Sequence, residues 1–149
     1  MAVTKTSAAP AGTVLAFDFG TERIGVAVGE TQLGVAHPLA TLGHRRGNGH
    51  FADIAALIAE WRPVLLLVGL PTHADGTPHA MTVRARRFAE QLRGRFALPV
   101  EFGDERFTTR EAALALRDAT AGGRNRDSVR DQVAAQILLQ AYLDAHVAA

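Results

Sequence analysis

The stretch Leu15 to Gly29 reads LAFDFGTERIGVAVG. Two β-prone runs, Thr13 to Phe17 and Ile24 to Val28, lie on either side of the turn-like Gly20-Thr21-Glu22-Arg23, which predicts a hairpin at the start of a sheet. A carboxylate, Asp18, stands where the first of these strands ends. Such an acid before Phe19-Gly20 has two readings: it caps a turn through its own backbone, or the sheet presents it at its rim for chemistry.

Beyond the hairpin, Gly34 to Leu42 reads as a third strand. Phe51, Ile54, Leu57, Ile58 and Trp61 recur at helical spacing, and Pro63 ends that helix. Val64 to Val68 is an unbroken apolar run, the pattern of a strand buried on both faces of a parallel or mixed sheet. A second helix, opened with the help of Pro78, carries Met81, Ala85, Phe88 and Leu92 on one face and leaves Arg84 and Arg87 off it. Leu98 to Phe102 is a fifth strand. The capping box Thr108-Thr109-Arg110-Glu111 then opens a helix through Arg117. Ser128 to Ala145 forms the last helix, with Val133, Ile137, Leu138, Ala141 and Tyr142 expected inward. The pattern predicts an α/β fold with a mixed five-stranded sheet flanked by helices.

A chain of 149 residues, 48% hydrophobic and 21% charged, suits one folded domain and excludes a disordered or collagen-like chain. Residues 1–12 are small and polar without periodicity and read as a disordered N-terminal extension, leaving 13–149 as the domain. There is no Cys, so a metal would need carboxylates or His. No apolar run reaches the roughly 18 residues that mark a membrane span, and the N-terminus has neither a signal nor a transit pattern. No membrane association is expected, and the cytoplasm is the expected compartment.

The net charge is only +1, but fifteen of the sixteen basic residues are Arg. They cluster at Arg84, Arg86, Arg87, Arg93 and Arg95, and again at Arg124, Arg126 and Arg130. Arg suits bidentate phosphate contacts, although solvated helix faces produce the same pattern.

Acids stand at element ends in three places: Asp18, the pair Asp104/Glu105 after the fifth strand, and Asp131 near the start of the last helix. If the first strand is central and the fifth lies beside it, these carboxylates converge where the last helix crosses the sheet. Such a cluster repels itself unless cations neutralise it, and its hard oxygens suit Mg²⁺ or Mn²⁺. Two such ions about 3.5–4 Å apart can activate water and stabilise the leaving oxygen of a phosphodiester. Each acid also has a plainer reading. Asp104 or Glu105 could pair with Arg106 or favour the following helix N-terminus, and Asp131 could be a first-turn helix acid sharing its face with Asp127. The six His show no paired ligand spacing, which points away from zinc. His73 and His79 flank Asp75-Gly76 as loop residues and read as solvated, with a phosphate contact as the alternative.

LAFDFGTERIGVAVG closely resembles the opening of the YqgF/RuvX family, with Asp18 at the position of its first metal-binding acid. Three more stretches match in order: VGLPTHADGT (Val68 to Thr77), GDERFTTREA (Gly103 to Ala112) and DQVAAQILLQAYLD (Asp131 to Asp144). The resemblance implies an RNase H-like fold and divalent-metal phosphodiester hydrolysis. The implied substrates are structured RNA, in maturation of the 5′ end of pre-16S rRNA, or branched DNA in Holliday junction resolution. It makes Asp18, Glu105 and Asp131 the catalytic, metal-holding acids, favouring Glu105 over Asp104. It makes Gly69, Pro71, Asp75 and Gly76, with Thr77, part of a loop lining the substrate groove. The family's Lys-rich segment before its last acid is here RNRDSVR, Arg124 to Arg130. Arg23 and Arg106 beside the acids, and the Arg84–Arg87 face, are then candidate phosphate contacts.

Three rivals remain. A junction resolvase would need a dimer, and the sequence marks no interface for one. Asp18-Phe19-Gly20-Thr21 also resembles the phosphate loop of actin-like ATPases and sugar kinases, but those need two such domains and this chain has room for one. A non-catalytic RNA-binding module would keep the fold and bind regardless of the acids. Aromatics make up only 6% of the chain, which favours backbone or shape recognition over base stacking.

Overall fold

The computed structural model describes residues 7–20, 22–43, 49–70, 80–104 and 126–148. Strand β1 (Ser7–Ala9) precedes the hairpin of β2 (Thr13–Phe19) and β3 (Arg23–Glu30), and β4 (Val35–Gly43) follows. Helix α1 (His50–Trp61), strand β5 (Leu65–Leu70), helix α2 (Ala80–Phe96) and strand β6 (Val100–Asp104) come next. The long helix α3 (Arg126–Ala145) and strand β7 (His146–Ala148) complete the described elements. The main sheet is five-stranded in the order β4-β3-β2-β5-β6, with β2–β3 and β3–β4 antiparallel and β2–β5 and β5–β6 parallel. The expected mixed five-stranded sheet, and the elements read around it, are therefore present. The helix expected from Thr108 to Arg117 lies outside the described residues.

Two expectations need correction. Part of the N-terminal segment read as disordered is a strand: Ser7–Ala9 pairs in parallel with His146–Ala148, and Ala9 is buried. Short, small residues carry no periodicity, so only the partner strand from the other terminus reveals this one. The fifth main strand, β6, is also not beside β2. β5 lies between them, because an apolar run buried on both faces is most stable with a neighbour on each side.

Alternation along the strands sorts the core into two layers. Leu15, Phe17, Ile24, Val26, Leu66 and Val68 face α1 and α2, where Phe88 packs edge-on to Phe17 at 5.9 Å. Val14, Ala16, Ala27, Leu65 and Leu67 face α3. Helix α1 ends as its sequence predicts: Arg62 takes a left-handed conformation (φ 47°), its N–H caps the Ile58 carbonyl, and Pro63 follows.

Helix α3 buries Ala135, Leu138, Leu139, Tyr142 and Leu143. Of the expected inward set, Leu138 and Tyr142 are buried, Val133 and Ile137 are half-buried, and Ala141 is exposed. Apolar residues surround this helix almost completely, so periodicity alone cannot orient it. Its glutamines can. Gln140 accepts from Ala36 N at 3.0 Å and donates to Gly34 O at 2.9 Å, while Gln136 donates to Ala36 O at 3.1 Å. Gln132 donates to Thr41 Oγ1 at 3.3 Å. The Gln132-Gln136-Gln140 row thus covers the outer edge of β4, whose backbone groups would otherwise offer a template for another strand.

Candidate active site

Asp18 is the penultimate residue of β2, and the alternation Val14-Ala16-Asp18 places it on the face covered by α3. Its cross-strand partner is Gly25. Phe17 is paired with Val68 and Gly69 with Gly103, so a row of Gly25, Asp18, Gly69 and Gly103 runs across one end of the sheet. One carboxylate in this row is flanked by residues without side chains.

Gly25 decides how closely α3 approaches. A Cβ built there would lie 1.9 Å from the Asp131 carbonyl oxygen and 2.4 Å from its carbonyl carbon. Only glycine lets the helix main chain rest on the strand, and this seat brings Asp131 over the row that contains Asp18. Gly103 plays a milder version of the same part under Leu138, whose Cδ1 would lie 2.5 Å from an added Cβ. The structure therefore seats Asp131 on the cross-strand partner of Asp18, bringing two acids from distant parts of the chain to one end of the sheet.

Asp131 already has a cationic partner. Arg23 Nε donates to Asp131 Oδ2 at 2.6 Å, with the two side chains 38% and 19% exposed, while Nη1 lies 3.3 Å from Glu22 Oε2. Arg23, expected to contact phosphate, is thus engaged with one of the candidate acids. The Gly20 N–H bonded to the Arg23 carbonyl at 2.9 Å closes the hairpin between Asp18 and this arginine.

Arg84 and Arg87 are exposed on α2, as expected. The Arg84 guanidinium lies 5.7 Å from the centre of the Phe19 ring, next in sequence to Asp18, so it stands at the same end of the sheet on the opposite face. Arg86 lies over Phe102 and Arg95 over Phe51. These rings hold guanidinium groups through cation–π attraction while leaving their edges to solvent.

Tyr142, in α3, donates from its hydroxyl to Glu101 Oε2 on β6 at 2.9 Å. Burial, then this hydrogen bond and the Glu101 charge, push the phenol well above its ordinary range, so it remains a donor. This bond ties α3 to the strand that leads towards Glu105. Glu105, Arg106, Pro71, Asp75 and Gly76 lie outside the described residues, as do His73 and His79. Asp127 lies in α3, but its side chain is not among those described. Among the described residues there is no group of three or more His, Cys, Asp or Glu placed to hold a metal. The two acids that converge are hard oxygen donors, and with no cysteine in the chain the donor set fits Mg²⁺ or Mn²⁺ rather than a thiophilic metal.

Sequence reading missed the Arg23–Asp131 pair and the glutamine row. The i, i+4 spacing of Gln132, Gln136 and Gln140 was a usable signal for the second. No local pattern could have announced the first.

Comparison with known proteins shows the family and the fold. The family described as "RuvX: Holliday junction resolvase" matches residues 12–145. A protein of Nitrosospira multiformis named "Putative pre-16S rRNA nuclease" is 52% identical over 140 residues, covering 94% of this chain and 93% of its own. Among solved structures, Thermus thermophilus RuvC in complex with Holliday junction substrate superposes with a TM-score of 0.54 at 14% identity, covering 90% of this chain and 97% of that one. The yeast mitochondrial Holliday junction resolvase Ydc2 gives 0.53 at 11% identity, covering 94% and 81%. At these identities the two structures speak for the fold alone, and they bear out the RNase H-like class. The curated relatives are named as nucleases and the matching family as a resolvase, both of which cut phosphodiester bonds, as expected from the sequence. With nearly the whole chain matched, the protein belongs to the RuvX family.

Proposed function

We propose that this chain is a divalent-metal-dependent nuclease of the cytoplasm, in which one domain over 13–149 matures the 5′ end of pre-16S rRNA and Asp18, Glu105 and Asp131 hold the metal. The observation that carries this reading is the seating of Asp131 on Gly25, the cross-strand partner of Asp18, at a sheet end where Asp18 is flanked in its row by glycines. The alternation of β6 supports the third acid. Glu101 and Gly103 face α3, so the next position in that series is 105 rather than 104. β6 is two strand spacings from β2, about 10 Å, which favours the longer Glu over Asp for reaching back.

A bound divalent cation supplies water activation and charge neutralisation at the leaving oxygen. Arg84, held over Phe19, and the neighbouring Arg87 steer the phosphate backbone, and Arg106 adds charge beside the acids. The family resemblance assigns Gly69, Pro71, Asp75 and Gly76 to the substrate groove. The relatives named for pre-16S rRNA support RNA as the substrate. The family's description supports a second reading, resolution of branched DNA.

The test is cleavage of a labelled pre-16S rRNA 5′ segment and a four-way DNA junction in Mg²⁺, Mn²⁺ or EDTA, comparing the parent with Asp18→Asn. Metal-dependent RNA cleavage that the variant loses is the expected result, and cutting of the junction alone selects the resolvase reading. Equal binding by both proteins with no cleavage of either substrate would mean a binding module and would overturn the catalytic assignment.

A further inference from the structure

Arg23 opens β3 two residues before Gly25 and on the same face of the strand, and Asp131 is seated on Gly25 itself. The ion pair is thus anchored at both ends by the backbone contact, and the short Nε–Oδ2 distance of 2.6 Å belongs to a charge-assisted bond. We infer that Arg23 is the counter-ion of Asp131 in the metal-free protein, and that its guanidinium competes with a divalent cation for this carboxylate. The inference rests on the reading of Asp18 and Asp131 as cation ligands. Two carboxylates gathered at one site repel each other, and Arg23 relieves that repulsion before any metal arrives. The same positive charge then opposes the arriving cation. Once displaced from Asp131, the half-exposed guanidinium, which also touches Glu22, would be able to turn towards a phosphate oxygen. One residue thereby serves two states: it holds the empty site together, and it turns to the substrate once the metal is bound.

The alternative is that Arg23 simply braces Asp131 for metal binding. The two roles predict opposite changes on removing the charge. A unit charge and a divalent charge about 6 Å apart in near-aqueous surroundings repel enough to weaken binding about tenfold. We therefore expect Arg23→Gln to bind Mn²⁺ about tenfold more tightly than the parent in calorimetric titration without nucleic acid, and Asp131→Asn to lose most binding. If Asp131→Asn loses binding while Arg23→Gln binds equally or more weakly, the counter-ion role falls and the metal site stands. If Asp131→Asn binds like the parent, the metal reading itself falls and this inference with it. A measurement on the parent chain guards against misfolding of the variants. The Arg23 Nε–Hε NMR resonance should shift progressively with Mg²⁺ as the Asp131 bond breaks, and a resonance unmoved at saturating Mg²⁺ would overturn the proposal.

Discussion

Gly25→Ala is the most informative single perturbation, because it adds one methyl group and changes no charge. The added Cβ would sit 1.9 Å from the Asp131 carbonyl oxygen, 2.4 Å from its carbonyl carbon and 3.0 Å from its Cβ. The first two of these are main-chain atoms, so no side-chain rotation relieves the clash. Strand β3 is held between β2 and β4 and cannot recede. Helix α3 must therefore lift by more than about 1 Å near Asp131 to restore ordinary contact. Overpacking of this kind costs about 2–3 kcal/mol, or about 6–9 °C in melting temperature for a chain of this size. The effect on catalysis should be larger in proportion. A displacement of about 1 Å between groups that act together can cost about 100-fold in rate, and here it separates Asp131 from Asp18. Chemical denaturation gives the first quantity, and cleavage of the precursor RNA at a temperature where the variant is fully folded gives the second. A variant within about 0.5 kcal/mol of the parent and equally active would refute the argument that the glycine seat positions Asp131.

Other substitutions probe separate parts of the account. Tyr142→Phe removes the bond to Glu101 and should cost about 1 kcal/mol at neutral pH by denaturant titration. Because the folded protein raises the phenol above its ordinary value of 10.0, this contribution is complete below that pH and declines as the pH rises towards the folded value, so the variant should lose less stability on alkaline titration than the parent. Arg84→Ala should weaken RNA binding similarly for all sequences and reduce the slope of log affinity against log salt by about 1; an unchanged slope would remove Arg84 from the phosphate track. Gln140→Ala uncovers the Ala36 N–H and the Gly34 carbonyl. It should cost about 1 kcal/mol and raise self-association measured by light scattering, since the β4 edge is then open to another strand.

Much of this protein was legible in its sequence because the signals were local. The turn at Gly20 to Arg23, the unbroken run at Val64 to Val68 and the helical spacing of Phe51 to Trp61 each arise from neighbouring residues, and each element appears in the structure close to where it was read. Resemblance added the family and named Asp18 and Asp131 as acids of one site. What the chain could not disclose depends on residues remote in sequence. The place of β5 between β2 and β6 follows from which strand needs two neighbours, and β1 exists only because β7 pairs with it. The rotation of α3 was hidden because its apolar residues go nearly all the way round. It is settled by glutamines that find the β4 edge and by a glycine that admits its main chain. The Arg23–Asp131 pair is of the same kind: a half-exposed charge reads from sequence as a ligand for phosphate, and only the packing of α3 on Gly25 shows that a carboxylate reaches it first. Local chemistry determined the elements and the candidate acids, whereas close packing between distant segments decided which charges meet.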